Sequence, residues 1–110
     1  MMKLAMSRAA MGLLRALIAR AGVSRNRILL SEWRSVDWQS LTFVGERHAI
    51  SLRIAGPHSD SIAKRLTAGL ENADFVIPGQ IVADIAVTGE PRLGSDGSTE
   101  LSLEALTIAE

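Results

Sequence analysis

The sequence contains no cysteine, and aromatic residues make up only 4% of its 110 residues. The absence of cysteine excludes disulfides, iron–sulfur clusters, cysteine nucleophiles and thiolate zinc sites. Only two Trp and two Phe are present, although 47% of the residues are hydrophobic. The core must therefore be built mainly from aliphatic side chains.

Acidic residues are absent from the first part of the chain, because none precedes Glu32. Six of the 12 Lys and Arg residues lie within the first 27 positions, so this segment is basic and the remainder is acidic, with a formal net charge of zero. Such asymmetry indicates either an internal electrostatic match or an anionic external partner. We favour the internal match.

No apolar run approaches the roughly 20 residues that span a bilayer. The basic N-terminal segment does not fit a secretory signal, because Arg8 and Arg15 interrupt the apolar region that such a signal needs. We therefore expect a cytoplasmic protein. Its length fits one domain over residues 1–110.

A first helix is predicted over residues 2–21, which contain mostly Ala, Leu, Met and Arg, with Gly22 as its left-handed cap. Its apolar residues fall on two faces rather than one. Because a helix that covers a single sheet needs one apolar stripe, we expect burial on both sides. The first face contains Met2, Met6, Leu13 and Leu17, and the second contains Leu4, Met11, Leu14 and Ile18.

A line of small residues also runs along this helix, which would allow close approach of another backbone. Together with Trp38, these residues form the predicted interface of a homodimer, because an indole is a frequent anchor in interfaces. The line contains Ala5, Ala9, Gly12, Ala16 and Ala19.

The middle of the chain predicts strands. Residues 27–35 form one, and residues 41–44 and 48–54 form a hairpin about a two-residue turn at Gly45-Glu46. This register would place six residues on one buried face. They are Leu41, Phe43, His48, Ile50, Leu52 and Ile54.

A second helix is predicted over residues 57–72, beginning at Pro57, with Ile62, Leu66 and Leu70 as its apolar stripe. Alternation then predicts strands at residues 81–88 and 101–108, the latter with a bulge near Glu104-Ala105. The predicted fold is α+β, a two-layer sandwich in which an antiparallel sheet of four to five strands carries both helices on one face, in the order α-β-β-(β)-α-β-β.

Residues that could carry chemistry are few. His48 on the buried face, with Trp38 and Arg47 nearby, marks a candidate ligand-binding pocket, since histidine can act as a base or a ligand. Trp33 and Trp38 are each compatible with a core or an interface position. No residue is predicted to be catalytic, and no metal or cofactor site is predicted, because the two histidines lack a metal-ligand spacing.

The leading functional prediction is a non-enzymatic interaction or structural module that forms a homodimer through its N-terminal helix. One alternative is a small-molecule-binding protein or enzyme with a pocket near His48 and Trp38. Another is binding of an anionic surface, either membrane or nucleic acid, through the basic N-terminal segment, although no nucleic-acid motif is found.

Overall fold

The computed structural model describes residues 6–110, which form two helices and a five-stranded antiparallel sheet. Within this range no helix is long and apolar enough to cross a bilayer. The strands lie in the order β1-β2-β5-β3, and β4 also pairs with β5, so the predicted α+β class is confirmed. In chain order the elements are α1 (Arg8–Ala21), β1 (Ile28–Gln39), β2 (Val44–Ile54), α2 (Ser59–Thr67), β3 (Gln80–Val87), β4 (Arg92–Leu93) and β5 (Thr99–Ala109), with 3₁₀ turns at Arg25–Arg27 and Leu70–Asn72.

Helix α1 is shorter than the sequence predicts. It begins at Arg8 because the Ser7 side chain accepts a hydrogen bond from the backbone N–H of Ala10 at 3.1 Å, which caps the first turn. The predicted helix is therefore wrong at Met6 and Ser7, which precede α1. Residues 1–5 lie outside the described range. The predicted end is confirmed, since Gly22 caps the helix at φ 70°.

The predicted second helix is divided into two elements. Helix α2 ends at Thr67 because Ala68 adopts an extended conformation, and Leu70 then lies in a separate 3₁₀ turn. The predicted apolar stripe is confirmed, with Ile62, Leu66 and Leu70 all buried. A continuous helix over 57–72 is therefore wrong, although its buried face is correct.

The hairpin of β1 and β2 differs from the prediction. Its loop is Ser40–Phe43, closed by a 2.8 Å hydrogen bond from the Ser40 N–H to the Phe43 carbonyl. Gly45 lies within β2, where an added Cβ would stand 2.0 Å from the backbone oxygen of Thr107, so this glycine permits close strand approach instead of a turn. Leu41 is therefore fully exposed at 104%, and Phe43 is also exposed.

The irregular positions of the sheet also differ from the prediction. Strand β5 pairs with β2 without interruption, while register shifts occur in β1 near Ser31 and in β3 near Ala83. The expected bulge near Glu104-Ala105 is wrong. Leu106 and Ile108 consequently lie on the face opposite to Leu101 and Leu103, because side chains alternate along a regular strand.

Both helices pack on one face of the sheet, over alternate residues of β2 and β5. Leu13 and Leu17 of α1 and Leu66 of α2 are fully buried there, and each such leucine contributes about 1.5–3 kcal/mol. Trp33 packs against this aliphatic core from its rim. The buried cluster contains Leu13, Leu17, Ala21, Ile28, Ile50, Leu52, Ile54, Ile62, Ala63, Leu66, Leu70, Ile77, Ile85, Leu101, Leu103 and Ala105.

Arginines of the basic segment hold the two helices together by hydrogen bonds to backbone carbonyls. Arg20 of α1 donates to the carbonyls of Leu66, at 2.8 Å, and Ala68, at the end of α2. Arg65 of α2 donates to the carbonyl of Ala21, at the end of α1, at 3.1 Å. Each helix thus supplies the cation that satisfies the C-terminal carbonyls of the other.

Arg27 has a similar role between elements that are distant in sequence. Its guanidinium donates to the carbonyls of Ala55, at 2.8 Å, and Pro57, where the chain passes from β2 to α2. Part of the N-terminal basic charge is therefore engaged in hydrogen bonds within the chain. Its partners are backbone carbonyl dipoles rather than the acidic side chains of the later sequence.

The close approach that Gly12 permits is made within the chain. A Cβ at Gly12 would lie 2.5 Å from the Cγ2 methyl of Ile77, a buried residue of the segment before β3. Ala9 is buried too, whereas Ala19 is exposed. The small residues of α1 therefore do not form one uniformly exposed stripe.

We expect Gly12→Ala to destabilise the protein by about 1–3 kcal/mol through overpacking against Ile77, although alanine favours a helix by about 1 kcal/mol over glycine. Urea unfolding measures this change in the free energy of unfolding. The penalty should shrink in an Ile77→Ala background, and Ala19→Gly calibrates the propensity effect at an exposed position. A more stable Gly12→Ala variant in the native background would contradict the packing argument.

Candidate functional site

His48 lies in β2 on the helix-covered face of the sheet, and its side chain is buried. The strand register sets it beside Ser35 of β1. Its Nδ1 lies 2.7 Å from Ser35 Oγ, and its Nε2 lies 2.9 Å from Thr107 Oγ1 of β5. Both ring nitrogens thus have a hydroxyl partner, which limits the cost of burying a polar ring.

The indole of Trp33 sets the direction of these hydrogen bonds. Its Nε1 lies 2.9 Å from Ser35 Oγ and 3.3 Å from His48 Nδ1, and the Trp33 and His48 rings meet edge to face at 5.6 Å between centroids. An indole N–H can only donate, so both of these atoms accept from it. The contact to Nδ1 favours the tautomer in which Nε2–H donates to Thr107 and Ser35 donates its hydroxyl hydrogen to Nδ1.

Glu46, two residues before His48 in β2, connects this cluster to helix α1. Ser7 Oγ donates to Glu46 Oε1 at 2.6 Å, and the same serine caps α1. Glu46 Oε1 lies 3.8 Å from His48 Nε2. The carboxylate is therefore close enough to stabilise positive charge on the ring.

The environment keeps the imidazole neutral. Burial lowers the pKa of His48 from its usual 6.5, because desolvation disfavours the charged ring, and the Glu46 carboxylate offsets part of this effect. Near pH 7 the Nδ1 lone pair is therefore available as a base.

An open groove of about 490 Å³ adjoins the cluster along β1. Ser35 and Trp33 line it, and Ser35 is exposed. Leu30 and Met6 add apolar surface, and Glu46 adds a carboxylate. The Ser35 hydroxyl is thus bonded to a buried base while its other side faces solvent.

The residues of the predicted ligand pocket are divided between the two faces of the sheet. Strand alternation and register place Trp38 and Arg47 together on the face opposite the helices, which we call the open face. His48 lies on the helix-covered face. The structure therefore brings Trp38 and Arg47 together but separates both from the His48 ring.

Trp38 belongs to an apolar area at one end of the open face. Sheet register sets Trp38, Ile108 and Ile81 in one row across the strands, with Gly45 between Trp38 and Ile108. In the next row Arg47 lies between Val36 and Leu106, and Leu106 is buried. Val36 is 53% exposed and Ile81 is 49% exposed. We call Val36, Trp38, Ile81, Leu106 and Ile108 the open-face patch.

The outer side of α1 is partly covered by the chain itself. Leu14 and Ile18 of the predicted second apolar face are half-buried and pack against the core, whereas Met11 is 43% exposed. An open groove of about 350 Å³ runs beside these residues. Of the predicted small-residue interface, Ala5 lies outside the described residues and Ala16 is half-buried.

Sequence reasoning missed Ser35, Ser7 and Thr107. The incorrect hairpin turn left Ser35 without a partner, and pairing of β1 with β2 in the observed register places it opposite His48. Thr107 belongs to β5, 59 residues from His48, and only tertiary structure joins them. A serine on a strand next to that of His48 was the one available signal.

Comparison of the sequence with family models and curated proteins does not identify a family for this chain. The sequence matches no protein-family model and no curated protein. Among residues 6–110, no group of three or more His, Asp or Glu side chains is placed to share a metal ion. Function is therefore inferred from the Ser35–His48 cluster and from the open-face patch.

His48 predicts a fall in stability at mildly acidic pH. Because the folded pKa is below the unfolded value near 6.5, the unfolded state binds more protons there. Stability is complete above that unfolded value and is lost as pH falls from it toward the lowered folded pKa. Urea unfolding at about pH 7.5 and about pH 5.5 should show this decrease.

The His48→Gln variant isolates this contribution, because its amide does not titrate. It should be less stable than the native protein at the higher pH and should lose less stability between the two. Equal losses in the two proteins would assign the pH dependence to other groups.

Proposed function

We propose that this protein is an interaction module that self-associates as a homodimer through the open-face patch. The observation that supports this proposal is the exposure of Val36, next to Trp38 on β1, and of Ile81 on β3, on a sheet face that no helix among residues 6–110 covers. Exposed apolar side chains that share one sheet face are typical of association sites.

The surroundings of the patch fit a second copy as the partner. Register places Arg47 and Asp84 in the row of Val36 and Leu106, followed by Arg34 and Glu104 in the next row. An apolar centre with charged neighbours is the usual anatomy of an interface. Because both signs occur within and beside the patch, a two-fold related copy can place each charge opposite its complement.

Association through helix α1 is the second candidate, supported by the exposure of Met11 next to the groove of about 350 Å³. It has less exposed apolar surface to bury, because Leu14 and Ile18 already contact the core. Binding of an anionic surface has less support still, since Arg20 and Arg27 are engaged with backbone carbonyls. A cytoplasmic location remains a prediction.

Sedimentation velocity of three variants distinguishes these surfaces. Ile81→Glu places a charge in the open-face patch and should raise the dimer dissociation constant by at least about tenfold, equivalent to about 1.4 kcal/mol. Met11→Glu should have little effect. Leu41→Glu is the matched control, because the same charge enters at an exposed apolar residue of the hairpin loop.

The native protein should be dimeric at about 50 micromolar, a concentration that populates complexes of micromolar affinity. If Met11→Glu were the only variant to dissociate the dimer, the interface would lie on α1 instead of the open-face patch. A monomeric native protein would refute self-association through either surface.

A further inference from the structure

We propose that Ser35 and His48 form a nucleophile–base pair that accepts the acyl group of a carboxylic ester, an activity separate from the self-association proposed above. The pair joins an exposed hydroxyl to a buried imidazole through a 2.7 Å contact between Ser35 Oγ and His48 Nδ1. This distance lies within the range over which a histidine removes the proton of a nucleophile.

Trp33 makes the contact directional. Its single indole hydrogen is shared between Ser35 Oγ, at 2.9 Å, and His48 Nδ1, at 3.3 Å, which favours the tautomer in which Nδ1 accepts the hydrogen of the serine hydroxyl. The serine hydroxyl therefore already points at the base.

The far side of the imidazole is arranged to stabilise the charge that proton transfer creates. Nε2 faces Thr107 Oγ1 at 2.9 Å and Glu46 Oε1 at 3.8 Å. The carboxylate is held by the Ser7 hydroxyl, at 2.6 Å from the same Oε1 atom. Glu46 and Thr107 are therefore positioning residues, which orient the ring and favour the imidazolium, as the third member of a catalytic triad does.

The adjoining groove indicates the class of ester. Its volume of about 490 Å³ lies within the range of small-molecule sites. Leu30 and Trp33 offer apolar contact, while Glu32 and Glu46 make the groove acidic. This combination favours neutral or cationic esters over anionic ones.

The reaction needs only the ester and water. Ser35 Oγ forms a bond to the carbonyl carbon while its proton passes to His48 Nδ1, and the bond from that carbon to the leaving oxygen then breaks. The imidazolium returns the proton to the leaving alcohol. Water, deprotonated by the same nitrogen, cleaves the acyl–serine bond to give a carboxylic acid and restores the hydroxyl.

Two probes test this pair in the full-length protein. A fluorophosphonate should add one phosphonyl group per chain with loss of fluoride, and peptide mass spectrometry should place it on Ser35. With p-nitrophenyl acetate, Ser35→Ala should lower the rate above background by at least about 100-fold, the lower range for general-base assistance. Ser102→Ala, an exposed serine of β5 on the open face, is the matched control and should react as the native protein does.

The pH profile and a second variant separate chemistry from a structural role. The native rate should rise with pH as His48 loses its proton and then level off, and Glu46→Gln should lower the rate while circular dichroism shows a folded protein. If His48→Gln does not fold, Glu46→Gln still tests whether the groups around the imidazole affect the rate.

Three results would overturn the proposal: no adduct on Ser35, an equal esterase rate in Ser35→Ala, or a rate without a titration in the range of histidine. The oligomeric state measured in the self-association experiment does not enter any of them. Failure of one proposal therefore leaves the other testable.

Discussion

The fold depends on the packing of two short helices against one face of the sheet. Isolated helices of 14 and nine residues are marginal in water, so their stability has to come from tertiary burial. Leu13, Leu17 and Leu66 provide that burial over β2 and β5. The reciprocal bonds of Arg20 and Arg65 to the opposite helix ends then fix how the two helices lie together.

The same arrangement leaves two parts of the sheet available. One is the open face, where strand alternation exposes Val36 on β1 and Ile81 on β3. The other is the rim of the helix-covered face along β1, where the polar cluster of His48 and Ser35 lies next to the apolar core. The two proposed roles occupy opposite faces, so a partner on the open-face patch need not close the groove beside Ser35.

Buried polar groups explain why His48 is held in one orientation. A neutral ring on the helix-covered face requires an acceptor for its N–H and a donor for its other nitrogen, and Thr107 and Ser35 supply these in turn. Within the part of the chain that the structure describes, no buried side-chain nitrogen or oxygen lacks a hydrogen-bond partner. The cluster is therefore compatible with a stable core while one of its hydroxyls stays accessible.

Several features were predictable from local sequence because they depend on neighbouring residues. The α+β class, the cap at Gly22 and the apolar stripe of Ile62, Leu66 and Leu70 all follow from helix and strand periodicity. The start of α1 was misplaced because residues 2–7 favour a helix by propensity, and the competing cap at Ser7 was not recognised.

The site required tertiary structure. Periodicity identified a strand at 48–54 but did not specify its partner register, and a shift of the turn from Gly45-Glu46 to Ser40–Phe43 changes which residues face one another. The sequence by itself determined the element types and an aliphatic core, because these follow from side-chain type and spacing. Only the tertiary structure decided that Ser35 meets His48 and that Trp38 and Ile81 share the open face, because strand pairing is a long-range choice among competing registers.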